Sequence, residues 1–232
     1  MRLFLLGGFR LMADGLPVPL PAGVQRVVAF LGLHRRPLRR TFVASTLWMD
    51  ADEERAMASL RSALWRLNRP ELAIVEVRGS DLALADSVLV DHREAVDRGR
   101  VLAHLPPTHA LDPEEFPPDL YMNDVLPDWY EEWAVAERER FQQIRLHVLE
   151  RMCERLTDTG MHASAVLAGL AAVEADPLRE SARRVLMRAY AAEGNTCQAL
   201  RQYASYRDLV ARELGVAPSP LMERLVDDVR RR

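Results

Sequence analysis

The chain contains no lysine. All 31 of its basic residues are arginine, a mark of a GC-rich genome rather than of function. Its two cysteines, Cys153 and Cys197, are too few for a disulfide framework and lack metal-site spacing. Both are expected as free thiols of a cytosolic protein. No apolar run approaches the ~20 residues that span a bilayer. The opening residues 1–8 form too short an apolar run for a secretory leader and lack its cleavage site. A cytoplasmic, nucleoid-associated protein with no membrane partner is expected. No G-x-x-x-x-G-K-[ST] run is present to cradle a phosphate. The six histidines (His34, His92, His104, His109, His147, His162) never fall at H-x-x-x-H or H-E-x-x-H spacing. The paired acids Glu114-Glu115 and Glu131-Glu132 are neighbours, which on a helix point to different sides. We therefore expect no enzyme, no catalytic residues, no metal ligands and no cofactor.

What is present is a globular composition of 232 residues, 49% hydrophobic and 28% charged, enough for one large or two small cores. The net charge of −3 hides an asymmetry. Up to His92 there are 12 arginines against 10 acids; beyond it, 19 against 24. Between Arg26 and Arg69 nine arginines face four acids. A basic segment joined to an acidic remainder points to a polyanion-binding module followed by a partner domain. We place these at residues 1–92 and 93–232.

The most informative stretch is residues 50–69, an amphipathic helix. Asp50 or Asp52 can cap it, acids fill its first turn, and Pro70 ends it. Ala56, Leu60, Ala63, Leu64 and Leu67 form its apolar face. Arg55, Ser59, Ser62, Arg66 and Arg69, spaced 4, 3, 4 and 3 apart, form a second stripe free of acids. A narrow basic stripe with small hydroxyls suits a helix in a DNA major groove, where arginine bridges two guanine acceptors or clamps a phosphate. Trp65 lies off this stripe and is assigned to the core.

Around this helix the chain reads as strands at 3–6, 8–13 and 17–20, with Asp14-Gly15 as a turn. A helix at 25–33, a basic turn at 35–40 and a second helix at 40–48 follow. Strands at 73–77 and 81–85 flank the tip Arg78-Gly79-Ser80, and residues 88–90 add a last strand. Strands, three helices, then a hairpin is the layout of a winged helix-turn-helix. In that fold the third helix enters the major groove and the hairpin tip reaches the backbone or minor groove. Arg39 and Arg40, with the amide end of the second helix, would face a phosphate, as would Arg78. The expected DNA-binding set is thus Arg39, Arg40, Arg55, Ser59, Ser62, Arg66, Arg69 and Arg78, with Arg66 on a base edge and Arg40 and Arg78 on phosphates.

The second half reads as all helical: a helix at 91–105, a proline- and acid-rich excursion or linker at 106–127, and a long helix from about 126 to 157. Asp128 is expected to cap the long helix, and Trp129, Trp133, Phe141, Ile144 and Val148 to be buried in it. Tyr130 is also assigned to the core. Gly160 and Gly194 are 34 residues apart, the period of tetratricopeptide helix pairs. The register matches Met152 with Leu186, Leu156 with Tyr190 and Ala165 with Ala199. It fails at Pro177 against Ala211 and at Gly169 against Tyr203. A last helix covers 221–229. Such stacked helix pairs present concave surfaces to proteins or peptides rather than catalytic pockets. The fold class expected is an α+β winged helix-turn-helix domain followed by an all-α tetratricopeptide-like domain.

In its first half the chain resembles the OmpR-like winged-helix domain of the Streptomyces antibiotic regulatory protein family. The residues that carry this are Leu6-Gly7-Gly8-Phe9-Arg10, Leu47-Trp48, and above all residues 58–67, Ala-Ser-Leu-Arg-Ser-Ala-Leu-Trp-Arg-Leu. It departs from the family at Arg39, where a serine or threonine cap is usual, and in the short connection after Asn68. The second half resembles the family's bacterial transcriptional activation domain at 126–141, 176–181, 190–195 and 213–220. The resemblance implies an activator that binds direct repeats in promoters of antibiotic biosynthetic clusters, with protomers side by side on double-stranded DNA, and that recruits RNA polymerase holoenzyme. It also implies a form without the family's ATPase module and without a preceding receiver domain. The competing reading is a helical-repeat interaction module whose winged helix has lost useful DNA affinity.

Overall fold

The computed structural model describes residues 1–69, 72–106 and 117–231. They form two compact units. One comprises Met1–Asp97 with Asn123–Phe141, the other Arg98–Met122 with Gln142–Arg232. This differs from a single cut after residue 92, because a later segment packs back into the first unit.

In the first unit, β1 (Arg2–Phe4), β2 (Arg10–Ala13) and β3 (Leu16–Pro17) form a meander. The Asp14-Gly15 turn, with φ of 50° and 80°, joins the last two. Three helices follow: α1 (Ala22–Leu33), α2 (Arg40–Leu47) and α3 (Glu53–Leu67). Two-residue β4 (Leu38–Arg39) precedes α2. The hairpin is β5 (Val75–Arg78) and β6 (Asp81–Leu84), and β7 (Leu89–Val90) closes the unit's first run. Sheet order is β3-β2-β1-β7 and β4-β6-β5, with β7 parallel to β1. The core gathers Val27, Val28, Phe30 and Leu31 of α1, Val43 and Leu47 of α2, the predicted Ala56, Leu60, Ala63 and Leu67 of α3, and Leu82 of β6, all buried. At about 1.5–3 kcal/mol for each large apolar side chain, this burial sets the tilt of α3 against its neighbours.

The helix α4 (Asp91–His104) starts on a buried anchor. Asp91 is 3% exposed and accepts backbone N–H bonds from Leu5 (2.8 Å), Leu6 (3.1 Å) and His92 (2.7 Å). Residues 107–116 of the expected linker, and Pro70, lie outside the described residues. The rest of that stretch is packed, contrary to a linker. A 3-10 turn covers Pro118–Tyr121, and Tyr121, Val125 and Leu126 are fully buried. Val125 bridges to Leu6, and the Leu126 amide donates to Leu5 O at 2.9 Å.

The long helix α5 spans Glu132–Asp158, starting six residues later than expected. Leu126 sits at φ 44°, outside helical geometry, and the Arg138 guanidinium ties up the carbonyls of Val125, Leu126 and Trp129. Asp128 is therefore too far upstream to cap α5. Trp129 stacks on Phe9 (6.1 Å) and meets Trp133 edge-on (5.7 Å), which in turn meets Phe30 (5.3 Å). Both indoles are half-buried, Phe141 and Val148 are buried, and Ile144 is half-buried. Tyr130, placed in the core by sequence, is 84% exposed.

The second unit continues with α6 (His162–Ala175), α7 (Glu180–Ala192), α8 (Thr196–Leu214) and α9 (Pro220–Arg231). Gly160 and Gly194 hold φ of 78° and 90° at equivalent helix ends. Met152 and Leu186 are both buried, as are Ala165 and Ala199. Where the register fails, the packing shows why. Pro177 stands just past the end of α6, whereas Ala211 lets α8 run on to Leu214, where Gly215 (φ 67°) stops it. A Cβ on Gly169 would lie 3.0 Å from Leu186 Cδ1 and 3.1 Å from Cys153 Sγ, so a side chain such as that of Tyr203 has no room there. The α9 residues Met222, Val226 and Val229 cover the end of the stack against Met187, Tyr206 and Val210. Cys153 is buried and Cys197 exposed, both free. Among the described residues no helix is long and apolar enough to cross a membrane.

Candidate nucleic-acid interface

The helix α3 is presented by a cap and a packed floor. The Asp52 carboxylate accepts the Arg55 N–H at 2.9 Å, which decides between the two possible caps, and Glu53 and Glu54 fill the first turn. The helix ends at Leu67, with the Asn68 amide on Trp65 O. Its apolar face is buried, so the opposite arc is held outward by packing rather than by chance.

That arc carries most of the expected residues. Arg55, Ser62, Arg66 and Arg69 are exposed and Ser59 is half-buried. Taking about 100° per residue, the exposed arc is centred near Ala58 and Trp65, with the Arg55–Arg66 stripe along one edge. Trp65 is 77% exposed, so its assignment to the core is corrected. Arg61 is exposed on the other edge. Sequence periodicity had the information: both residues fall opposite the buried face. Trp65 was placed in the core because an indole was counted as apolar by type, and Arg61 lies off the Arg55–Arg66 stripe.

Arg55 pairs with Asp52 at 3.3 Å, with both side chains mostly in water. Among the described residues Arg39, Arg40, Arg61, Arg66 and Arg69 have no carboxylate within ion-pair distance. Arg39 precedes α2 and offers no side-chain cap bond. Arg40 is half-buried; its amide donates to Ser80 O at 3.0 Å, which fixes the start of α2 against the hairpin tip. At that tip Arg78 faces Asp81 across the two-residue loop Gly79-Ser80, with Gly79 at φ 62°. Arg78 is held by Glu76 through bonds of 3.0 and 2.6 Å. An exposed pair of this kind is worth little in water.

Two buried titratable groups of the same unit, Asp91 and His92, lie away from this face. His92 packs on Phe141 (5.1 Å), with Nε2 3.4 Å from Glu137. Burial, reinforced by the charges of Arg93, Arg35 and Arg140, pushes its pKa down to about 4. Among the described residues no three His, Cys, Asp or Glu side chains converge as a metal site would require.

A hairpin-braced helix with an outward arginine face, followed by stacked helix pairs, has the arrangement of a winged-helix domain joined to a helical repeat. Residues 90–230 match the bacterial transcriptional activator domain. Over 97% of its length the chain is 31% identical to regulatory protein AfsR of Streptomyces coelicolor, and over 40% of its length it is 39% identical to regulatory protein AfsR of Streptomyces griseus. It spans only 24% and 10% of those relatives. The structure of Mycobacterium tuberculosis EmbR in complex with a low affinity phosphopeptide aligns with a TM-score of 0.72 at 19% identity, covering 99% of this chain and 65% of that one. That likeness is one of fold. The chain belongs to the bacterial transcriptional activator domain family, and within it to the Streptomyces antibiotic regulatory proteins.

Proposed function

We propose that the protein is a sequence-specific DNA-binding transcriptional activator that binds direct repeats in promoters of a secondary-metabolite cluster and recruits RNA polymerase. The observation that carries this is the outward face of α3, on which Arg61 and Arg66 are exposed and have no acidic partner among the described residues. Direct repeats place protomers side by side, head to tail. Recruitment is supported by a second surface of the first unit, where Met49 (60% exposed) and Tyr130 (84% exposed) stand beside Asp50 and Glu132. Aromatic and methionine side chains of this kind are common anchors of protein interfaces.

On this reading Arg66 contacts a base edge and Arg40 and Arg78 contact phosphates. The test is fluorescence anisotropy with an upstream fragment and a scrambled duplex at two salt concentrations. Specific binding is expected to be ~1000-fold tighter and to fall steeply with salt. Arg66→Ala should cost about 1–3 kcal/mol and relax one position, whereas Arg40→Ala should weaken all sequences alike. Equal, weak binding to both duplexes, with no site recovered from random sequences, would leave the helical repeat as an interaction module.

A further inference from the structure

Trp65 is explained neither by packing nor by charge. An indole gains several times more from burial than a small side chain, yet this one is 77% exposed and sits near the middle of the outward arc of α3. Beside it a slot runs between α3 and the hairpin. Its apolar lining includes Leu64, Val75 and Val77, and its cationic lining is Arg40, Arg61 and Arg69. Val77 is itself 55% exposed on β5. Among the described residues the Arg40 Nε is buried without a hydrogen-bond acceptor, so nothing in the fold neutralises the guanidinium that lines the slot.

An apolar slot ringed by guanidiniums matches the alternation of sugar and phosphate along one DNA strand better than the edge of a base. We propose that this slot seats one sugar–phosphate strand of duplex DNA, with the Trp65 indole packed on a deoxyribose and Arg40, Arg61 and Arg69 on the flanking phosphates. This rests on the DNA-binding reading above and assigns Trp65 to strand affinity, not to sequence. Apolar packing releases no counterions, whereas each phosphate contact contributes a slope of about −0.9 in log K against log salt.

The experiment uses the full chain and anisotropy titrations over a salt series, on an operator selected from random duplexes and on an unrelated duplex. Trp65→Ala should weaken both duplexes by the same factor, about three- to tenfold from the lost apolar contact, with its salt line parallel to wild type. Trp65→Phe should recover most of that loss. Arg61→Ala should instead flatten the slope by about one phosphate. Circular dichroism melting checks that each variant is folded. Trp65→Ala binding both duplexes like wild type overturns the proposal. So does a loss confined to the operator, above all one that disappears when operator thymines are replaced by deoxyuridine, because the indole then reads a base methyl. Failure of the underlying DNA-binding reading looks different: the wild-type chain itself shows no salt-dependent binding to any duplex.

Discussion

Replacing Asp91 tests whether the first unit is held at the junction of β1 and α4. Its carboxylate is buried and receives three backbone N–H bonds at 2.7–3.1 Å, two of them from Leu5 and Leu6 more than 80 residues away in sequence. Asp91→Ala leaves three buried backbone donors without their acceptor. Each orphaned buried donor costs about 1–3 kcal/mol, so the loss should reach roughly 3–5 kcal/mol after partial relaxation. Asp91→Asn keeps one carbonyl oxygen, able to serve Leu5 and His92 but not Leu6, and should cost about 1–2 kcal/mol. The assay is urea unfolding by tryptophan fluorescence. All four tryptophans, Trp48, Trp65, Trp129 and Trp133, belong to the same unit as Asp91, so the signal follows that unit alone. A loss below about 1 kcal/mol for Asp91→Ala, or an asparagine no better than alanine, would show that water or backbone rearrangement satisfies these amides and that the reasoning is wrong.

His92, with a folded pKa near 4 against 6.5 when unfolded, is bound neutral by the fold. Its contribution is complete above pH 6.5 and is lost as pH falls towards 4, on the order of 3 kcal/mol in all. His92→Asn should flatten the stability profile across that window, as followed by fluorescence at fixed urea. Gly169→Val should destabilise the helical unit by about 2 kcal/mol or more, since a Cβ alone would already crowd Leu186 and Cys153 at 3.0–3.1 Å and the two methyls add to it; circular dichroism melting reads this. With Ellman's reagent at neutral pH, one thiol per folded chain, Cys197, should react promptly. Cys153, buried and with its pKa pushed up to about 12, should react only on unfolding.

The elements legible in the sequence were those whose order is local. The buried face of α3 follows a 3.6-residue period, the Arg78-Gly79-Ser80 tip is set by a glycine that turns, and the 34-residue repeat survives in Met152, Leu186, Ala165 and Ala199. What escaped was decided by distant partners. Residues 126–131 resemble a helix start, but Arg138 and Leu5 claim their backbone, so α5 begins at Glu132. Tyr130 and Trp65 were assigned by residue type, although in the fold their surroundings leave them in water. At the site, periodicity found the arginine stripe but placed the middle of the outward arc one side too far.

The return of residues 123–141 into the first unit bears on inheritance. The activator-domain match begins at residue 90, so it follows descent, while the folded bodies follow contact and divide the same stretch between them. A gene fusion that joined residues 1–92 to a foreign helical domain would carry Phe30 and Phe9 without Trp133 and Trp129, and Leu5 and Leu6 without Leu126 and Val125. The first unit of this chain is therefore not a cassette that can be exchanged at one crossover; two breakpoints must move together.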